Sequence, residues 1–389
     1  MSSKKFFIIT NKIIPIFSPL VLSTIFHFTF AKIQNERDYS GLVLFISIIT
    51  VISTLLLLGK ELQYYQSNNL NELIKNDFFT LISSSIVISF FAYFVYRLDS
   101  TKINFNPTLI LFSPLKVVFD YLIIILHVVN EAKFVRYSFD ILFSFIQVVS
   151  LSLYFYDLID LNQMLIIFLI YFFFGIFFYS KKLKLNFLNT KLSYELGYFK
   201  ISKALISGLG SFASRFQFII MSFVAPQVIG IANIAFTISN SLSIPYNYLT
   251  KLNLPIILRQ KDIFFEKFDL VRKNSILYAL FVLLSISIFI YVNPIELQYF
   301  NDKLFYYFVL IYLLATSTDI YVGLKSSFVQ IIGNEKEILS SLILVLLATF
   351  IIPLFFSDLY KGIIFYISFI IFSNILFNYK FKSCYENSL

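Results

Sequence analysis

Five formally charged residues stand inside long apolar runs of this chain: Lys116, Asp120, Asp140, Arg215 and Asp319. A charge at mid-bilayer costs at least about 2.5–3.5 kcal/mol, so such a group faces protein or a wetted cavity rather than lipid. Lys116 and Asp120 are one helical turn apart. At 100° per residue, Ser113, Asp120, His127 and Asn130 all fall within about 60° of Lys116, a polar stripe along one helix. Two chemistries suit it. The pair can neutralise itself in a packed bundle, or the stripe can line a wet surface. His127 lies outside the pair, which favours the second.

Arg215 has no acid within one turn along its own helix. Its planar guanidinium binds two oxygens at once, a geometry suited to a diphosphate. Snorkelling, or pairing with Asp120, Asp140 or Asp319, is the structural alternative. Ser207, Ser211 and Ser214 share a face of that helix, Lys203 lies near its inner end, and Gly208 and Gly210 allow close helix approach. The following helix carries Asn233, Thr237, Asn240 and Asn247 on one face, and Pro245 should kink it. Carboxamides in a row hydrogen-bond sugar hydroxyls or neighbouring helices equally well. Asp319 follows Thr316, Ser317 and Thr318, and can take a coupling cation or proton, or pair with Lys116 or Arg215. The expected substrate contacts are therefore Arg215, Lys116, Asn233, Thr237, Asn240 and Ser211, and the expected coupling groups are Asp120, Asp319 and His127.

Nothing here makes or breaks a bond. There is no P-loop, no GxSxG and no paired metal site, so no catalytic residue, metal or cofactor is expected. The lone cysteine, Cys384, excludes an intrachain disulfide, and two histidines, His27 and His127, argue against zinc.

The elements that must position these residues follow from composition. Of 389 residues 58% are hydrophobic and 14% charged, with a mean hydropathy of +0.81. Soluble domains are about one quarter charged, so an ordinary soluble enzyme and a disordered chain are both excluded. A spanning helix needs about 20 mostly apolar residues. Twelve such stretches are predicted: 13–31, 41–59, 78–96, 108–129, 137–156, 161–180, 204–222, 228–250, 275–292, 304–322, 338–356 and 362–379. The loops between them are too short for a separate catalytic domain. The first apolar run follows Lys4, Lys5 and Lys12 and lacks a small-x-small cleavage site, so it reads as a retained span.

Basic residues set the orientation. With both termini inside, 23 Lys and Arg fall on the inner side and 6 on the outer. The net charge of +9 then reads as a topology signal facing an anionic leaflet, not as a nucleic-acid surface. Tyrosines at span ends, such as Tyr39, Tyr96, Tyr156, Tyr291 and Tyr379, take the anchoring role of the missing tryptophan.

Six spans per half make two parallel repeats, an N-terminal lobe over 1–190 and a C-terminal lobe over 191–389. Gly41 and Gly230 each open the second span of their half, 189 residues apart. The stretch from Ile201 to Gln260 carries a serine-rich span ending in Ser214-Arg215, Gly230 opening the next span, its polar face, then Pro245 and Pro255 before a basic loop. This pattern, with GKELQYY at 59–65, resembles Wzx-type O-antigen flippases of the multidrug/oligosaccharidyl-lipid/polysaccharide exporter superfamily. That family often has Asp-Arg where this chain has Ser214-Arg215.

The resemblance implies an all-α polytopic membrane protein of about twelve helices, in two six-helix pseudo-symmetric lobes around a central cavity. It implies a flippase that moves an undecaprenyl-diphosphate-linked oligosaccharide to the outer leaflet by alternating access. The setting would be the bacterial cytoplasmic membrane, with both termini cytoplasmic and with membrane lipid, a polysaccharide polymerase and a chain-length regulator as partners. Two alternatives stay open. A Wzy-type polymerase usually carries a sizeable outer loop, and the longest one here has 11 residues. A multidrug antiporter of the same superfamily would want an acidic cavity.

Overall fold

The computed structural model describes residues 18, 21–32, 36–57, 60, 70–98, 104–129, 131–183, 201–292 and 302–386. Among these residues every regular element is helical. In chain order the helices are α1 (21–32), α2 (Glu36–Leu57), α3 (Leu70–Leu98), α4 (Ser113–Val128), α5, α6 (Leu161–Lys182), α7 (Ile201–Val224), α8 (Ile229–Arg259), α9 (Phe264–Val292), α10 (Lys303–Val322), α11 (Leu324–Ile332), α12 (Glu335–Ile351) and α13 (Lys361–Glu386). Helix α5 starts at Ala132–Val135, passes through a π-helical stretch at Arg136–Ile141 and continues over Leu142–Phe155.

Within the described residues, helices overlap the expected stretches, and the short α11 is additional; residues 13–17, 19–20 and 58–59 of the first two expected stretches lie outside the described residues. Eight segments are long and apolar enough to cross a membrane: Arg37–Leu57, Asp77–Leu98, Pro107–Val128, Tyr137–Phe155, Leu161–Lys182, Lys261–Val292, Lys303–Val322 and Lys361–Glu386. The shorter apolar stretches Phe212–Val224 and Ser340–Phe355 belong to α7 and to the end of α12. The chain is an all-α polytopic membrane protein.

Local signals set the helix ends. Asp160 accepts from the Gln163 backbone at 2.7 Å and the Gln163 side chain reaches back to Asp160 at 2.8 Å, a reciprocal cap that starts α6. Asp302 caps α10 through the Leu304 N–H at 2.8 Å. Gly323, at φ +37°, ends α10 and lets α11 begin at once. Helix α8 is helical across Pro245.

Compactness divides the chain into two units, Gln34–Gln227 and Met1–Ile33 with Val228–Leu389. The halves expected from sequence met between 190 and 191. By compactness, among the described residues, α1 groups with the later helices and α7 with the earlier ones.

In the unit 34–227, α4 packs on α2, α3 and α6, and α7 packs on α2. Phe119 of α4 is fully buried among Phe139, Tyr171, Phe172 and Tyr179, with ring centres 5.0–5.7 Å apart. Gly175 of α6 makes the notch for it, because a Cβ there would lie 2.2 Å from the Phe119 ring. Lipid tails are as apolar as these side chains, so close packing of this kind holds the helices together. The outward faces are apolar too: Phe91 and Phe94 on α3 and Phe173, Phe174 and Phe177 on α6 are exposed, as lipid contact requires.

In the other unit, α8 packs on α9 and α10, α10 on α13, and α12 on α13. Phe236, Tyr312 and Tyr366 meet edge-on or tilted at 5.4–5.7 Å. Helix α1 belongs here, with His27 Nδ1 3.5 Å from Asn233 Nδ2 on α8. The pairings repeat. Second with fourth, fourth with sixth and fifth with sixth in one unit correspond to eighth with tenth, tenth with twelfth and eleventh with twelfth span in the other. The α2–α7 pairing has the same relation to α1–α8.

Candidate functional site: polar clusters within the spans

The polar stripe of α4 forms a defined cluster in the unit 34–227. Lys116 Nζ forms a salt bridge with Asp120 Oδ2, and the two side chains are 13% and 23% exposed. The same carboxylate oxygen accepts from Ser53 Oγ of α2 at 2.6 Å. The ammonium also lies 5.5 Å from the Phe172 ring centre on α6. Three helices thus hold one buried charge pair, and each charge has a polar or aromatic neighbour besides its partner. A buried pair is costly unless it is satisfied in this way. Of the two readings of the Lys116–Asp120 spacing, the self-neutralising pair is the arrangement observed.

The rest of the stripe is divided between roles. Ser113 is fully buried and hydrogen-bonds Ser89 of α3. His127 is half-buried near the far end of α4. Asn130 lies outside the described residues. Asp140 falls in the π-helical stretch of α5, half-buried. Arg215 is half-buried on α7. The side chains of Lys203, Ser207 and Ser211 lie outside the described residues, although α7 is helical across them.

The second unit carries its own cluster. Asp319 Oδ1 accepts from Asn374 Nδ2 of α13 at 2.7 Å, and Asn374 also reaches Thr318 Oγ1 at 3.2 Å. Among the described residues no cation pairs with Asp319. Thr316 donates to the Ser239 carbonyl of α8 at 3.4 Å. One turn beyond Asp319, Gly323 packs so tightly on Tyr246 of α8 that a Cβ there would lie 2.6 Å from the tyrosine hydroxyl. Asp319 is half-buried, and a carboxylate within a span whose side-chain donor is neutral can bind a proton or a small cation.

The carboxamide face of α8 splits along its length. Asn233 is 1% exposed, near His27, and Thr237 Oγ1 donates to the Asn233 carbonyl at 2.8 Å. Asn240 and Asn247 are exposed, with Ser243 between them, its Oγ 2.9 Å from Asn240 Oδ1 and 3.5 Å from Asn247 Nδ2. Half of the row is therefore interhelical and half is open to a ligand.

Two members of these clusters escape sequence reasoning, Ser53 and Asn374; a separate ion pair joins Lys60 to Asp77 at 2.6 Å. A lone carboxamide among the Ile and Phe of α13 was the available signal for Asn374. Among the described residues no three His, Cys, Asp or Glu side chains gather to hold a metal.

No family model matches the chain, and no curated protein matches it. Two solved structures are similar along nearly their whole length. One is a MATE protein crystallised in complex with MaL6, at 13% identity and a TM-score of 0.55, covering 96% of this chain and 95% of that one. The other is an inward-facing multidrug resistance MATE family transporter of the MOP superfamily, at 13% identity and a TM-score of 0.53, covering 97% and 98%. At this identity the likeness bears on architecture alone: the chain shares the overall fold of these two MATE structures.

Proposed function

We propose that this protein is an alternating-access transporter that exchanges a solute across the membrane against an ion gradient. The observation that carries the proposal is the MATE-type fold spanning almost the entire chain. The charged groups inside the spans support it, because intramembrane ionisable residues that are not needed for folding mark substrate and ion paths. Asp319 has the chemistry of a coupling group, with one neutral side-chain donor on its carboxylate. The exposed Asn240 and Asn247 on α8 offer hydrogen bonds to a solute.

For the substrate, the fold likeness favours a small organic solute, since one matched structure is a multidrug transporter. A second reading is favoured by the pattern from Ile201 to Gln260 and by Arg215: a flippase for a diphosphate-linked oligosaccharide, in the bacterial cytoplasmic membrane, working beside a polysaccharide polymerase and a chain-length regulator. In that reading Arg215 meets the diphosphate. Lys116 contributes only after exchanging Asp120 for a substrate oxygen.

Reconstitution separates the two. Purified protein in proteoliposomes is given a proton or sodium gradient and either a fluorescent organic cation or a polyprenyl-diphosphate-linked sugar. Gradient-driven cation movement supports the antiporter, and sugar translocation supports the flippase. Movement of neither, in vesicles where a known antiporter is active, overturns the transporter proposal.

A further inference from the structure

At the end of the unit 1–33/228–389 where α13 finishes, Lys325 sits between aromatic rings. Its ammonium is 5.1 Å from the Phe268 ring centre on α9 and 5.4 Å from that of Phe381 on α13. It donates to Asn378 Oδ1 at 3.2 Å. Among the described residues no carboxylate pairs with it. The neighbouring cations differ: Arg272 bonds Asp269 at 3.1 Å, Lys380 bonds Glu337 at 3.0 Å, Lys382 lies 3.9 Å from Glu386, and Lys267 lies 4.0 Å from Glu266. The Arg272 guanidinium is 5.2 Å from the same Phe268 ring, so two cations share one ring.

Ring faces attract an ammonium without neutralising it. Among the described residues no carboxylate offsets Lys325, and one of its three N–H donors is taken by Asn378. Its position is fixed by the fold. The positive φ of Gly323 turns the chain where the α10 span ends, so Lys325 sits in the first turn of α11 at a membrane boundary. From Arg272 a winding strip of α9 is exposed and apolar: Ile276 is 46%, Leu280 61% and Leu284 61% exposed. A ligand matching both features carries an oxyanion at one end and hydrocarbon at the other.

We propose that Lys325, Phe268, Phe381, Asn378 and Arg272 form a binding site for the phosphate of an anionic phospholipid, whose acyl chains lie along the exposed face of α9. Charge complementarity selects an anion, and the adjoining apolar strip selects a lipid over free phosphate. The site is independent of what the protein transports.

Native mass spectrometry of the full chain in detergent tests it, with phosphatidylglycerol as the probe and phosphatidylcholine as the neutral control. The expected result is one retained phosphatidylglycerol, occupancy at least about fivefold lower in Lys325→Ala, unchanged in Lys382→Ala, and unaffected by millimolar inorganic phosphate. Phe381→Leu keeps the charge but removes one wall, and is expected to give intermediate occupancy; it is the reading to use if Lys325→Ala does not fold. Equal retention of both lipids by the wild-type chain overturns the proposal. So does an equal loss in Lys325→Ala and Lys382→Ala, which would mean diffuse attraction. Full displacement by inorganic phosphate would make the site one for a soluble anion and overturns the lipid assignment.

Discussion

Replacing Lys116 by Met removes an ammonium of nearly the same length and leaves Asp120 with Ser53 as its one remaining side-chain donor. The lost charge-assisted hydrogen bond is worth about 1.5–3 kcal/mol. Stranding a fully buried carboxylate raises such losses to about 3–5 kcal/mol. Here the side chains retain 13% and 23% exposure, so some solvation survives and a loss of about 2–3 kcal/mol is expected. For a unit of this size that is a fall of about 5–10 °C in unfolding midpoint. Asp120→Leu strands the ammonium over Phe172 and costs a similar amount. The double variant Lys116→Met/Asp120→Leu removes both charges and should return to within about 1 kcal/mol of the parent. The assay is a double-mutant cycle of thermal unfolding in detergent. Losses that add within about 0.5 kcal/mol would show that the two residues are not coupled and would refute the reasoning. Transport supplies the functional half. Lys116→Arg should retain more activity than Lys116→Ala, and equal losses would leave the pair a purely structural role.

Three further outcomes are expected. Gly175→Ala should lower stability by about 1–3 kcal/mol through overpacking against Phe119; Phe119→Leu in the same chain should restore part of it, and a neutral Gly175→Ala on thermal unfolding would contradict the packing. Asp319→Asn keeps an oxygen for Asn374, so stability should change by less than about 1 kcal/mol, while gradient-driven uptake falls at least about tenfold and downhill exchange persists; undiminished driven uptake would remove Asp319 from coupling. Arg215→Ala should abolish transport with the protein still in the membrane on immunoblots of membrane fractions, and normal transport would exclude Arg215 from the mechanism.

Run length and hydropathy mark eight segments that the structure shows as long apolar helices, because a bilayer forces backbone groups to pair within each segment. Lys116–Asp120 was legible as a spacing, since an i, i+4 pair is fixed by helix geometry alone. Its third member was not: Ser53 lies 67 residues from Asp120, and only tertiary packing of α2 on α4 brings them together. Asn374 met Asp319 across α10 and α13 for the same reason. Spacing alone puts the carboxamides of α8 on one helical face, yet periodicity does not tell which end is covered. Asn233 is buried near His27 of α1, whereas Asn240 is open. The grouping of α1 with the later helices and α7 with the earlier ones has no local sequence signal at all.

Alternating access is tested most directly by a thiol at position 240. Cys384 is the single native cysteine, so Cys384→Ser/Asn240→Cys carries one reporter on the exposed part of α8. In right-side-out and inverted vesicles, a membrane-impermeant maleimide should label it from one side at a time, and reversing the imposed gradient should shift labelling to the opposite side. Protection from both sides under every gradient would place Asn240 in a dry helix contact and contradict a transport pathway along α8.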